Sequence, residues 1–188
     1  MTATAVLSPP PETWPEIPER DGYEYVDGRW VKLAVGMRET LIGFNVRNLL
    51  AAYAEPAGLG WSPPPHESPY QISPEHPRRY RKPDASFVRR DALTFEEAPE
   101  GFLHTVPALV VEVVSPRDNA VELDQKIAEY LEAGVELVWV LNPKTRVVMV
   151  YRGDGSTTRL VASERLGGET VLPGFSVEVG RLFETRIP

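Results

Sequence analysis

Cysteine is absent from the 188 residues of this chain, and lysine occurs only four times. Without cysteine the protein can form no disulfide, hold no zinc ion through thiolates and use no cysteine nucleophile. Long apolar runs are also missing, because no stretch approaches the roughly 20 residues that a membrane-spanning helix needs. The N-terminal residues carry neither a basic start nor a long apolar segment, so we expect a cytoplasmic protein with no membrane partner.

Negative charge predominates, with 27 acidic residues against 20 lysine and arginine residues and a formal net charge of −7. This balance argues against a protein that coats nucleic acid non-specifically. Positive charge is concentrated in residues 78–90, which contain six basic residues and one acidic residue. The segment is therefore a candidate for a localised contact with a negatively charged partner, and a solvated surface is the alternative.

Proline-rich residues 1–20 are predicted to form an irregular, extended arm, which is followed by a single domain over residues 21–188. Large and polar residues alternate around Asp27 and Gly28, a pattern that predicts a β-hairpin with a type I′ turn. A helix is predicted over residues 38–55, where the apolar residues recur on one stripe.

Strands and one further helix are predicted after this point. They are strands near residues 70–72, over 83–88 and over 108–115, a helix over 118–134, and two paired strands within 135–155. Asp118 or Asn119 can cap the helix, and Gly134 can end it. This order of elements predicts an α/β fold in which a mixed β-sheet is flanked by helices.

Glu112 interrupts the apolar run "ALVVEVVSP" of residues 108–116. The run predicts a strand that is buried on both faces. An ionised carboxylate in such a strand needs a partner, because burying it alone costs several kcal/mol or more. An arginine is one possible partner, and a divalent cation is another.

Asp84 stands at the start of another predicted strand, although aspartate is depleted in strands. A turn or capping role is one explanation for its position. If the two strands are neighbours, however, Asp84 and Glu112 converge at one end of the sheet, where a cation would relieve their repulsion. Oxygen ligands without cysteine or clustered histidine favour Mg²⁺ or Mn²⁺, since His66, His76 and His104 show no ligand spacing.

Lys126 lies on the predicted helix that follows Glu112, beside an expected buried stripe of Leu123, Ile127 and Leu131. From this position its side chain can reach back toward the two carboxylates. A surface ion pair with Glu122, four residues earlier, is the alternative. On the first helix, Glu39 could supply a further carboxylate, although a solvated position is expected for it.

The segments "RKPD", "VVEVVSPRDNAVELDQKIAEYLEAGVELVWVLNP" and "VYR" together resemble the PD-(D/E)XK nuclease superfamily. Within it they resemble a widespread bacterial family of presumed restriction endonucleases. The resemblance implies a restriction-endonuclease-like core in which Asp84 and Glu112 bind a metal ion, with the backbone carbonyl of Val113 as a third ligand. Val114 stands where the superfamily pattern has its lysine, and the resemblance assigns that role to Lys126 on the following helix.

The resemblance implies an endonuclease that hydrolyses DNA with Mg²⁺ or Mn²⁺, using Asp84, Glu112 and Lys126 as catalytic residues. A basic run leads directly into Asp84 and could contact the backbone phosphates of DNA: Arg78, Arg79, Arg81 and Lys82. The alternative is a nuclease fold without cleavage activity that serves as a nucleic-acid-binding or assembly module. A homodimer or higher homo-oligomer would suit cleavage of both strands.

Overall fold

The computed structural model describes residues 13–33, 36–66, 68–94, 99 and 101–184. The predicted arm over residues 1–20 therefore lies partly outside the described residues. Its described part rests on the domain, because Ile17 is buried and the Pro15 carbonyl accepts a hydrogen bond from the Gln71 side chain at 2.9 Å. The division into an arm and a domain that starts at residue 21 stays a prediction.

The N-terminal hairpin has the predicted turn. β1 (Tyr23–Val26) pairs antiparallel with β2 (Arg29–Lys32). Asp27 and Gly28 between them have φ angles of 49° and 81°, and a type I′ turn requires positive φ at both central residues. This hairpin forms its own two-stranded sheet, which an isolated bridge between Tyr25 and Tyr80 joins to the rest of the domain.

Six strands form the central sheet: β3 (Gly60–Trp61), β4 (Ala85–Arg89), β5 (Leu109–Val113), β6 (Leu137–Asn142), β7 (Val147–Arg152) and β8 (Thr157–Leu160). Their order in space is the same as their order in the chain. β5 and β6 are parallel, because α2 connects them, whereas the other neighbouring pairs are antiparallel. The mixed sheet of the predicted α/β fold is confirmed.

Helices cover both faces of this sheet. α1 (Met37–Ala54) packs on one face, in the same apolar cluster as β9 (Arg165–Gly168), β10 (Leu172–Glu178) and α3 (Val179–Leu182). α2 (Ala120–Glu132) packs on the other face, and the Asn119 side chain caps it by accepting a hydrogen bond from the Val121 N–H at 2.9 Å. None of the described helices combines the length and apolar character that crossing a membrane requires.

Two local predictions are wrong. The strand expected near residues 70–72 is reduced to isolated bridges at Tyr70, which pairs with Arg81 and with Leu103 at single positions. The buried side of α2 is also shifted, because Ile127 and Tyr130 are buried whereas Leu123 and Leu131 are only partly buried. The shift brings the polar end of Tyr130 into contact with β5, as described below.

Candidate active site

The strand register brings Asp84 and Glu112 together. Ala85 pairs with Val111 across β4 and β5, and the Asp84 N–H donates to the Val111 carbonyl at 3.1 Å. The same register places Asp84 opposite Glu112, and opposite residues of an antiparallel pair project from the same face. Both side chains line one cavity of about 540 Å³. The convergence expected from the sequence therefore follows from the pairing of two neighbouring strands.

Glu112 is buried and held by two side chains of α2. Lys126 Nζ donates to its Oε2 at 3.1 Å, and the Tyr130 hydroxyl donates to its Oε1 at 2.8 Å. Burial raises the pKa of Glu112, although the positive charge of Lys126 acts in the opposite direction. The partner of Glu112 is thus a lysine and a tyrosine, and not the arginine that was considered as the structural alternative.

Lys126 lies between two buried carboxylates. Its Nζ is 3.1 Å from Glu112 Oε2 and 3.0 Å from Oε1 of Glu24 on β1, so it does not form the surface pair with Glu122. Burial acts to lower the pKa of Lys126, but the charges of Glu112 and Glu24 raise it overall. We therefore expect Lys126 to be protonated at neutral pH.

Glu24 fixes Lys126 from the side of the hairpin. Its carboxylate also accepts hydrogen bonds from the Arg81 guanidinium at 3.0 Å and from the Lys82 backbone N–H at 2.9 Å. Burial would raise the pKa of Glu24, but the positive charges of Lys126 and Arg81 lower it overall. The hairpin therefore supplies a charged residue to the site, although its two strands are not part of the central sheet.

Asp84 has one oxygen fixed and the other directed to a histidine. The Val113 N–H donates to Oδ2 at 2.6 Å, and His66 Nε2 lies 3.4 Å from Oδ1. Burial, and then the negative charge of Glu112, raise the pKa of Asp84 well above its usual value. Burial, and then the charge of Lys126, lower the pKa of His66, so its imidazole is neutral at neutral pH.

These residues fit a divalent cation. Asp84 and Glu112 are buried beside each other, each with a raised pKa, and a cation would relieve the repulsion between their charged forms. Within the described parts of the chain, no three histidine, aspartate or glutamate side chains are already gathered in metal-binding geometry. Mg²⁺ nevertheless commonly uses one or two protein carboxylates and retains several waters. The Val113 carbonyl as a further ligand stays a prediction.

The expected basic track toward the site is largely engaged in ion pairs, and its contact with DNA stays a prediction. Three of its four members are paired with carboxylates instead of being open to a phosphate: Arg79 with Asp27 and Glu129, Arg81 with Glu24 and Glu129, and Lys82 with Glu19. A phosphate would have to displace a carboxylate from each of them. Their positive charges instead attach the hairpin, the arm and α2 to one another. Arg78 alone among the four is exposed, and its contact with DNA stays a prediction.

Sequence reasoning did not identify Glu24, His66 and Tyr130 as site residues. Tyr130 lies four residues after Lys126 on the same face of α2, so the helical spacing could have indicated that both side chains reach the same site. His66 follows three prolines in a loop, where no periodic pattern indicates the direction of a side chain. Glu39 was expected to be solvated, but it is buried and lines the cavity, because α1 begins beside the site.

α1 fixes the backbone of Asp84 through a close approach at Gly43. A methyl group added to Gly43 would lie 2.7 Å from the Asp84 carbonyl oxygen, and real side chains do not approach backbone that closely. We expect Gly43→Ala to force Asp84 and α1 apart and to lower the free energy of unfolding by about 1–3 kcal/mol. Urea denaturation measures this loss.

Gly153→Ala is the matched control, because an added methyl group there would meet nothing closer than 4.0 Å. Its free energy of unfolding should stay close to that of the wild type. Equal stability of the two variants would show that the contact between Gly43 and Asp84 is not tight.

Comparison with solved structures supports the class of fold. A crystal structure described as "a putative nuclease belonging to DUF820" from Anabaena variabilis matches with a TM-score of 0.74 and 16% sequence identity. The match covers 89% of this chain and 93% of that chain, and at this identity it supports the fold alone.

The family is established by sequence. Residues 11–180 match the model of the Uma2 family, which is described as "Putative restriction endonuclease". This chain belongs to the Uma2 family, and the resemblance recognised in the sequence is confirmed. No protein with a curated function matches the chain significantly.

Proposed function

We propose that this protein is a cytoplasmic, metal-dependent endonuclease that hydrolyses phosphodiester bonds of DNA with Mg²⁺ or Mn²⁺ as its cofactor. The observation that carries the proposal is the convergence of Asp84, Glu112 and Lys126 in one cavity. Two buried carboxylates beside a protonated lysine are suited to binding a cation and a phosphate together. Membership of the Uma2 family supports the same reaction class.

In this proposal Asp84 and Glu112 hold the cation, together with the Val113 carbonyl. A divalent cation at this position supplies neutralisation of the phosphate charge and activation of a water for attack. Lys126 carries a positive charge, so it stabilises the negative charge that develops on the phosphate instead of accepting a proton. Two positioning residues support these groups: Tyr130 orients Glu112 by its hydrogen bond, and Glu24 orients Lys126 by its ion pair.

Plasmid DNA is the direct substrate for a test of this function. Incubation of the protein with supercoiled plasmid should give nicked and linear forms in Mg²⁺ or Mn²⁺ and no product in EDTA. A labelled RNA, tested in parallel, shows whether cleavage is restricted to DNA. Binding of DNA without cleavage in either metal would overturn the proposal and support the binding-module alternative. A homodimer stays a prediction that light scattering in solution tests.

Three exposed cations at the cavity are our candidates for contacts with DNA phosphates. Arg29 and Lys32 on the hairpin and Arg117 before α2 line the cavity, and their side chains make no ion pair with the described residues. They are free to contact a phosphate, unlike the paired Arg79, Arg81 and Lys82. The triple variant Arg29→Ala, Lys32→Ala, Arg117→Ala should therefore bind DNA more weakly.

Contacts between these cations and phosphates are electrostatic, so their loss should reduce the salt dependence of DNA binding. Each phosphate contact contributes about 0.9 to the magnitude of the slope of log affinity against log salt concentration. The slope measured for the triple variant should therefore be smaller in magnitude by about 2–3. Fluorescence anisotropy with duplex DNA at several salt concentrations measures the slope. Arg159→Ala on β8, an exposed arginine on a different strand, is the control and should leave the slope unchanged.

A further inference from the structure

His66 is a partly exposed side chain whose two ring nitrogens are nevertheless buried. Both ring nitrogens are shielded from solvent, and neither has a hydrogen-bond partner among the described residues. Buried polar atoms in proteins are nearly always hydrogen-bonded, so such an exception needs an explanation. The backbone of His66 also has φ of 60°, which is uncommon for a residue other than glycine. Conformations of this kind often occur at functional sites.

The imidazole of His66 faces the proposed metal site. Its Nε2 lies 3.4 Å from Asp84 Oδ1, and His66 lines the same cavity as Asp84 and Glu112. The other oxygen of Asp84 is already fixed by the Val113 N–H, so Oδ1 is the oxygen available for a ligand. The contact between Nε2 and Oδ1 does not have the alignment of a hydrogen bond.

The spacing of these two atoms suits two ligands of one ion. Nitrogen and oxygen ligands bind divalent ions at about 2.0–2.2 Å, so two of them at a right angle lie about 3 Å apart. Nε2 and Oδ1 are close to this separation before any ion binds. Glu112, on the neighbouring strand, also lines this cavity, and an ion would have to draw the three side chains together, because they are not gathered in metal-binding geometry in the described residues.

We propose that His66 is a metal ligand together with Asp84 and Glu112, and that it gives the site a preference for Mn²⁺ over Mg²⁺. The inference rests on the proposed metal-dependent function and deepens it. Imidazole is a good ligand for transition-metal ions, whereas Mg²⁺ prefers oxygen ligands. A site with one imidazole and two carboxylates therefore favours Mn²⁺.

Calorimetric titration with MnCl₂ and MgCl₂, in separate experiments without DNA, tests this inference. The wild type should bind Mn²⁺ more tightly than Mg²⁺. His66→Ala should weaken Mn²⁺ binding at least about 10-fold. Loss of a residue that only hydrogen-bonds to a metal ligand already lowers metal affinity about 10–100-fold, and loss of a ligand itself should lower it no less. Its affinity for Mg²⁺ should change by much less. His76→Ala, which removes an imidazole that does not line the cavity, is the control and should match the wild type.

Electron spin-echo spectroscopy of the Mn²⁺-loaded wild type tests the ligand without a substitution. A coordinated imidazole gives a characteristic nitrogen modulation, which should be present in the wild type and in His76→Ala. Wild-type protein that binds Mn²⁺ without this signal would overturn the role of His66 and leave the endonuclease proposal standing. Wild-type protein that binds neither ion would overturn the metal-dependent function itself.

Discussion

Glu112→Gln should reduce metal-dependent DNA cleavage by a factor on the order of 10²–10³ or more, the range seen when one electrostatic group of an active site is removed. The amide is nearly the same size as the carboxylate, but it is neutral and binds a divalent cation far more weakly. The variant should remain folded, because Lys126 keeps its ion pair with Glu24 and the amide oxygen can still accept a hydrogen bond. Plasmid cleavage at saturating Mn²⁺ and Mg²⁺ measures the loss.

Circular dichroism and thermal melting of the same preparation show whether the fold is intact. Glu132→Gln is the control, because it makes the same chemical change at an exposed position near the end of α2. It should cleave DNA at the wild-type rate. If Glu112→Gln also retained full cleavage, the reaction would not depend on this carboxylate, and the proposed site would be wrong.

Lys126→Ala should have the largest effect on stability. The substitution leaves Glu24 and Glu112 buried without the cation that lies between them. Removal of one partner from a buried ion pair typically costs about 3–5 kcal/mol, because the remaining charge is uncompensated. We expect a loss in that range in the free energy of unfolding, measured by urea denaturation near neutral pH, together with loss of DNA cleavage.

A double-mutant cycle separates this effect from simple loss of packing. Lys126→Ala combined with Glu24→Gln should be more stable than the sum of the two single losses predicts, because the second change removes one of the two buried charges that lose their shared cation in the first. Lys144→Ala is the control, since this lysine is exposed in the turn after β6, and its effect should stay within about 0.5 kcal/mol. Strict additivity would mean that Lys126 and Glu24 do not interact.

The ion pairs around the site give the basic run partners that the sequence did not indicate. From the sequence, Arg79, Arg81 and Lys82 are positive charges that precede Asp84, and a phosphate backbone is a reasonable partner for them. In the fold, the carboxylates of Glu24 and Glu129 are supplied by elements 57 and 48 residues away from Arg81, respectively. Charge along a sequence does not show which opposite charges the fold brings beside it.

Local sequence was sufficient to predict the features that depend on neighbouring residues. The Asp27-Gly28 turn, a helix cap at Asp118 or Asn119 and the buried strand around Glu112 all depend on the conformations and hydrogen bonds available within a few residues. The spacing of Glu112 and Lys126 follows from a strand that leads directly into a helix, and together with Asp84 these residues were recognised by their resemblance to the PD-(D/E)XK pattern. These features support the assignment of the family.

The side chains that surround that motif are fixed by the packing of whole elements. The register of β4 against β5 placed Asp84 opposite Glu112, and the roll of α2 placed Tyr130 on the same carboxylate. The docked hairpin supplied Glu24, and a proline-rich loop supplied His66. Contacts of this kind join residues far apart in the chain, and they are fixed by the packing of whole elements and by the cost of leaving a buried charge unpaired. No local pattern in the sequence contains that information.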